Sequence, residues 1–110
     1  MIFKIVHAPE WAAVDGDYAG SPKDGADGFL HFSTAAQLMG TLIRYYSDTD
    51  DDLVLVAVNE GALGAALKYE PSRDGQLFPH LYGVLPLDAV QWVRPIARTR
   101  DGFALPDLTA

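Results

Sequence analysis

The apolar run Leu53–Val58 constrains the fold of this chain more than any other segment. It contains no polar residue and several β-branched ones, which is typical of a strand that is buried on both faces. The chain has 110 residues, of which 49% are hydrophobic, so it can cover such a strand within one domain. We therefore predict a single domain over residues 1–110, with its core at about residues 2–96 and a C-terminal tail at 97–110.

Strand patterns occur on both sides of this central run. Period-two alternation predicts strands at Met1–His7 and Gly28–Ser33. Further strands are predicted at Ala66–Glu70, Phe78–Gly83 and Ala89–Pro95. Because the strands outnumber the helical crossovers that a doubly wound parallel sheet requires, the pattern indicates an α+β domain.

One main helix is predicted over residues 35–46. Thr34 and Gln37 have the spacing of a capping box, and the apolar residues that follow recur at helical spacing. A short helix is predicted over residues 9–14, because a proline suits its first turn. Residues 15–28 are rich in Gly, Asp, Ser and Pro, and we predict that they form a long irregular loop of the kind that is often functional.

The charge and the composition of the chain disfavour nucleic acids and membranes as binding partners. With 15 acidic and 8 basic residues the formal net charge is −7, which opposes extended contact with the phosphates of nucleic acids. The apolar runs are far shorter than the ~20 residues of a membrane-spanning helix. Cysteine is absent, so disulfides and thiolate chemistry are excluded and nothing indicates an oxidising compartment. We expect a cytoplasmic protein that binds neither membranes nor nucleic acids.

The three histidines are the main indication of chemistry. His7, His31 and His80 all fall within predicted strands or at their ends, and Ser33 and Tyr82 share faces with the last two. Imidazole changes its charge near neutral pH and is a common general acid or base. We predict that the three rings face a common cleft. The alternative is that each is a half-buried imidazole bonded to a backbone carbonyl.

Other polar residues leave alternatives open. Glu70 lies near the end of a predicted strand and is either a site carboxylate or an exposed edge charge. Arg44, Lys68 and Arg73 are the cations of the central region, so an anionic ligand would need some of them or the backbone amides that follow Thr34.

Three familiar site types are disfavoured. The wide spacing of the histidines argues against a zinc site. Asp48–Asp52 lacks the glycine and the final acidic residue of a calcium-binding loop, which favours a solvated acidic turn. Ser33 has no Gly-x-Ser-x-Gly context, so a hydrolase triad is also disfavoured.

Several segments together resemble a known family. Gly28–Thr34 (GFLHFST), Tyr69–Pro71 (YEP) and Phe78–Gly83 (FPHLYG), after an N-terminal strand that ends in His7, are similar to the bacterial domain-of-unknown-function family 952. The resemblance covers most of the chain, from about Phe3 to Arg94. It implies a fold similar to the ADP-ribosyltransferase superfamily, with two small β-sheets around a cleft and one main helix.

The superfamily resemblance also implies a cleft that binds NAD as a substrate, without a metal. His7 matches the first position of its site and His31 the second, and the third is carried by His80 or Glu70. Transferases of this type usually have a glutamate in the region where His80 stands here, and imidazole does not supply the same negative charge.

We therefore expect an NAD- or nucleotide-binding, ADP-ribosyltransferase-like or phosphotransferase-like domain whose acceptor is unknown. The alternative is a non-catalytic ligand-binding or protein-interaction module that retains the same cleft. The expected catalytic residues are His31, His80 and Glu70. The expected ligand-binding residues are His7, Tyr18, Ser33, Thr34, Arg44 and Tyr82.

Overall fold

Two antiparallel sheets form the framework of the protein, and the computed structural model describes all residues from Met1 to Ala110. The larger sheet has four strands, in the spatial order β1 (Ile2–His7), β3 (Leu53–Val58), β6 (Val90–Thr99) and β7 (Gly102–Ala104). The smaller sheet has three, in the order β2 (Leu30–His31), β5 (Leu77–Leu81) and β4 (Leu67–Pro71). The prediction of an α+β domain with two small sheets is confirmed.

Strand β3 lies inside the larger sheet, between β1 and β6. Its side chains alternate between two hydrophobic clusters, with Val56 and Val58 in one and Leu55 and Ala57 in the other. All four of these residues are fully buried. The expectation of a central strand covered on both faces is confirmed.

The two sheets join at one edge of β1. The backbone N–H of Phe3 donates to the carbonyl of Ser33 at 2.9 Å, and the N–H of Ser33 donates to the carbonyl of Phe3 at 2.8 Å. This bridge lies just beyond β2, so the two sheets form one curled surface. The curl places β1, which carries His7, beside the strand that carries His31.

Three helices accompany the sheets: α1 (Ala8–Ala12), α2 (Pro22–Asp27) and α3 (Leu38–Tyr46). A 3₁₀ turn over Ala35–Gln37 leads into α3, so the helix predicted over 35–46 is confirmed. The short helix predicted over 9–14 is also present, as α1. No helix is long and apolar enough to cross a membrane.

Helix α2 lies where a continuous loop was predicted, and that part of the prediction is wrong. Ser21 and Asp24 form a capping box, in which each side chain accepts a hydrogen bond from the other residue's backbone N–H. Pro22 occupies the first turn, and Gly28 ends the helix with φ at +86°, a conformation that favours glycine. The contacts at its two ends stabilise this helix. With six residues it is too short to show a repeat of apolar residues in the sequence.

The chain beyond residue 96, predicted as a C-terminal tail, continues the larger sheet. Strand β6 continues past Pro95 to Thr99, and β7 folds back to pair with it. Phe103, Leu105 and Leu108 then pack against one of the two hydrophobic clusters. The partial burial of these three side chains stabilises the C-terminal segment against the rest of the domain.

Candidate functional site

The curl of the sheets encloses one open cavity of about 510 Å³, within the ~300–1,000 Å³ of typical small-molecule sites. It lies between β1, the strands of the smaller sheet and helices α2 and α3. Its lining includes polar and charged side chains, among them His7, Asp24, His31, Ser33, Arg73 and His80. The structure therefore brings the three histidines to one cavity.

Asp24 ties three elements together at the wall of this cavity. Its Oδ2 is 2.8 Å from Nζ of Lys4, and its Oδ1 is 2.6 Å from Nδ1 of His31. The side chains of Asp24 and Lys4 are only 2% and 5% exposed. Buried charges are tolerated when they are paired and hydrogen-bonded, and the Lys4 ammonium also donates to the carbonyl of His31 at 3.0 Å.

The environment fixes the charge of this carboxylate. Burial opposes the ionisation of Asp24, but the hydrogen bond from His31 and the charge of Lys4 outweigh it and hold the pKa of the carboxyl well below its usual range. Burial lowers the pKa of Lys4 from its usual value, and the nearby Asp24 limits that effect. Asp24 is therefore an anion at neutral pH.

His31 has carboxylates at both of its ring nitrogens. Nδ1 faces Asp24, and Nε2 is 2.9 Å from Oδ2 of Asp27, one helical turn further along α2. With both nitrogens occupied, the ring has no free position at which to exchange a proton with a ligand. His31 is suited to the role of a fixed anchor in the cavity wall.

His80 has a different arrangement. Its Nδ1 is 2.9 Å from Oε1 of Glu70, and the same oxygen accepts a hydrogen bond from the Tyr82 hydroxyl at 2.7 Å. Because a carboxylate only accepts, Nδ1 donates the hydrogen bond to Glu70, and in the tautomer with a proton on Nδ1 alone Nε2 is an acceptor. This bond to Glu70 is the one hydrogen bond that the His80 ring makes within the protein, so Nε2 is left free.

The hydrogen bonds to Glu70 keep it ionised. The bond from Tyr82, followed by that from His80, lowers the pKa of the Glu70 carboxyl. The same bond to Glu70 raises the pKa of the Tyr82 hydroxyl. Glu70 is thus an anionic acceptor that orients His80 at neutral pH.

The strand register places the two imidazoles side by side. His31 of β2 lies directly opposite His80 of β5, and their ring centroids are 5.6 Å apart. The ring of Phe29 packs against both, with centroid distances of 4.6 Å to His31 and 4.1 Å to His80. An aromatic face and two imidazoles therefore share one wall.

His7 lies in another part of the cavity wall. Its Nδ1 is 3.0 Å from Oδ2 of Asp51, but the relative orientation does not make a hydrogen bond, and Nδ1 is buried without a partner. Its ring packs against Tyr46, with centroids 5.6 Å apart. Burial raises the pKa of Tyr46 to about 12, so its hydroxyl remains protonated at neutral pH.

Of the other residues predicted for the site, some line the cavity and others do not. Ser33 lines the cavity, and its hydroxyl is 3.1 Å from that of Thr41. Glu70 and Tyr82 do not line it; Glu70 accepts one hydrogen bond from the His80 ring and another from the Tyr82 hydroxyl.

Three residues that were predicted to bind a ligand are not among those that line the cavity. Tyr18 is buried in the hydrophobic core, and its hydroxyl donates to Glu10. Thr34 is occupied in the capping box at the start of the 3₁₀ turn. Arg44 is on the exposed side of α3, where its guanidinium packs over the ring of Tyr45.

Sequence reasoning missed three residues of the site, and it named Arg73 only together with Arg44 and Lys68 as a possible partner of an anion. Lys4 could have been noticed as a lysine inside an otherwise apolar strand, which implies a buried partner. Asp24 has a weaker signal, the Ser-x-x-Asp spacing of a capping box. Phe29 has none, because its position depends on how β2 packs. No group of three or more His, Asp or Glu side chains is arranged to hold a metal ion.

Three solved structures of one bacterial protein are similar to this chain over most of its length. Two crystal structures of protein CC0527 from Caulobacter crescentus, one of them of a double mutant, match with 39% and 38% sequence identity and a TM-score of 0.85 each. In both cases 92% of this chain and 90% of the other are covered. The solution structure of the same protein matches with 38% identity and a TM-score of 0.80, over 93% and 89% of the two chains.

No curated protein matches the chain. The family model described as "Protein of unknown function (DUF952)" matches residues 5–93, which include His7, the paired histidines and the Glu70 carboxylate. The chain therefore belongs to the DUF952 family.

Proposed function

We propose that the cavity binds a nucleotide, with NAD as the first candidate, and that His80 acts on it as a general base in an ADP-ribosyltransferase-like reaction. The observation that supports this most is the Glu70–His80 pair, in which a carboxylate orients an imidazole whose Nε2 is free. A fold related to the ADP-ribosyltransferases and NAD as substrate are both parts of this proposal.

The proposed reaction replaces one bond to the ribose C1′ by another. The C–N bond to nicotinamide breaks, and its electron pair leaves with the neutral nicotinamide. An acceptor O–H forms the new C–O bond, and its proton moves to Nε2 of His80. The Glu70 carboxylate stabilises the imidazolium that results, and is a positioning residue since it does not touch the reacting atoms.

Other parts of the cavity suit such a ligand. The rings of Phe29, Tyr45 and Phe78 line it and offer apolar faces for a base or a nicotinamide. His31, fixed by Asp24 and Asp27, supplies a rigid polar wall beside His80. This division assigns binding to His31 and proton transfer to His80.

A second candidate function is a ligand-binding module without turnover. The occupied ring nitrogens of His31 favour it, because only one of the two adjacent imidazoles can exchange a proton. Such a module would bind the same class of ligand in the same cavity and leave it unchanged.

Binding and turnover of NAD, measured separately, test the proposal. We expect calorimetry to show binding of NAD or ADP-ribose, and nicotinamide release to fall by about 10²–10⁴-fold in His80→Gln. Glu70→Gln should lower turnover with little change in affinity, since Glu70 does not line the cavity. Arg44→Gln, outside the cavity, is the matched control and should behave as wild type.

The outcomes separate the two candidates. Affinity without turnover in the wild-type protein supports the binding module and overturns the catalytic proposal. No binding of NAD, ADP-ribose or a 2′-phosphorylated oligonucleotide at millimolar concentration overturns both nucleotide proposals.

A further inference from the structure

Three cationic side chains line the cavity, and two of them are paired with carboxylates. Lys4 is held by Asp24 at 2.8 Å, and Lys23 is 3.4 Å from Asp27. Arg73 takes part in none of the ion pairs of the protein. In a chain with 15 acidic residues against 8 basic ones, Arg73 is the cavity cation whose charge is left uncompensated.

The guanidinium of Arg73 is nonetheless held in place by several contacts. It packs over the ring of Phe78, 5.0 Å from the centroid, and Nη1 donates to the hydroxyl of Thr41 at 3.4 Å. It also passes close over α3 at Gly40, where a Cβ would lie only 3.0 Å from Nη2. Because guanidinium has five N–H donors and one is used here, a fork of donors remains for a ligand.

The hydroxyls next to Arg73 are already satisfied by each other. Thr41 donates to the carbonyl of Gln37 at 3.1 Å, so it accepts from Arg73 and from Ser33, whose Oγ is 3.1 Å away. These two hydroxyls orient the Arg73 guanidinium, but they carry no charge that could compensate its own. The arrangement is that of a positioned cation without a counterion.

Arg73 is also placed close to the proposed base. Phe78 and His80 are two residues apart on β5, so their side chains point to the same face with a spacing of roughly 7 Å. An anionic group bound by Arg73 beside Phe78 would therefore lie roughly 7 Å from the His80 ring, a distance that a ribose or a phosphate can span.

We infer that Arg73 is an anion-binding residue of the cavity, which holds a phosphate of the ligand next to His80. This rests on the proposed function for the location of the ligand and adds to it that the ligand carries a phosphoryl group. Bidentate contact with a guanidinium favours phosphate, and Lys would be a weaker substitute because it lacks the planar fork.

The experiment compares ligands with and without phosphate on matched variants. Calorimetry with pyrophosphate, ADP-ribose and adenosine is done on wild type, Arg73→Gln, Arg73→Lys and the surface control Arg44→Gln. We expect Arg73→Gln to lose about 10- to 100-fold in affinity for pyrophosphate and ADP-ribose, the size of a charged hydrogen-bond pair, and to bind adenosine as wild type does. Arg73→Lys should fall between the two.

A second variant leaves the charge in place. Gly40→Ala keeps Arg73 but moves its guanidinium, so it should weaken pyrophosphate binding by a few fold while the protein stays folded, as a thermal unfolding curve will show.

Failure of this inference is distinguishable from failure of the proposed function. If Arg73→Gln binds pyrophosphate and ADP-ribose as tightly as wild type, the inference is overturned while NAD binding can stand. If wild type binds pyrophosphate through Arg73 but not NAD, the anion site stands and NAD is the wrong nucleotide.

Discussion

Replacement of Asp24 by Asn tests whether the buried Lys4–Asp24 pair holds the cavity wall together. The Asn side chain has the same shape but presents an NH₂ group to one of its two neighbours, Lys4 or His31, both of which donate. It leaves the Lys4 ammonium, 5% exposed, without a counterion. Loss of one partner from a buried ion pair costs about 3–5 kcal/mol, because the other charge stays buried and uncompensated.

A loss of this size is a large part of the ~5–15 kcal/mol that typically separates folded from unfolded domains. Urea unfolding followed by the fluorescence of the two tryptophans measures it. With m of roughly 1–3 kcal/mol/M, the midpoint should fall by at least about 1 M. Asp27→Asn is the matched control on the same helix, and should cost ~1 kcal/mol or less because its carboxylate is exposed.

A double-mutant cycle separates this explanation from a general loss of packing. Lys4→Met removes the cation that Asp24→Asn leaves unpaired, so we expect the double variant to be clearly more stable than the sum of the two single losses predicts. Two losses that simply add, or an equal fall of the midpoint in Asp24→Asn and Asp27→Asn, would show that Lys4 and Asp24 do not stabilise the fold as a buried pair.

Three further predictions concern acid stability, a helix cap and a glycine. The pKa of Asp24 in the folded protein lies below its usual 3.8, so its contribution to stability is present above about pH 4 and decreases as the pH falls further. In Asp24→Asn the free energy of unfolding should therefore depend less on pH below about pH 4. An unchanged pH dependence would contradict this. Ser21→Ala should destabilise the protein by about 1 kcal/mol through its capping box, and unchanged urea unfolding would show that α2 needs no cap. Gly40→Ala should raise the thermal midpoint slightly, since Ala favours a helix by ~0.5–1 kcal/mol; a large fall would mean that the Arg73 side chain cannot move away.

Some of the fold was predictable because its signals are local. A wholly apolar run identifies β3 wherever the rest of the chain goes, and the capping box with its apolar stripe identifies α3. Helix α2 was missed because it contains Pro22 and Gly25, both poor helix formers, and buries only Asp24. Its stability comes from end contacts and from the tertiary partners of Asp24.

The site was predictable only as far as residue type and strand position indicate it. The histidines are noticeable as polar residues in apolar strands, but the position of His31 opposite His80 depends on the register of β2 against β5, which no local pattern specifies. Arg44 and Arg73 look equivalent in the sequence. Only the packing of the turn beside α3 directs Arg73 to the cavity and leaves Arg44 at the surface.

The contrast between the two adjacent histidines connects the fold with the proposed chemistry. Both are on facing strands and both contact a carboxylate. Asp24 is buried and bridges three elements, whereas Glu70 does not line the cavity and bonds only the side chains of His80 and Tyr82. Loss of Asp24 should therefore reduce stability first and activity as a consequence. Loss of Glu70 should reduce proton transfer while the protein remains folded, because its removal leaves no buried charge without a partner. Comparison of unfolding free energy and turnover across these two substitutions therefore distinguishes the anchor from the base.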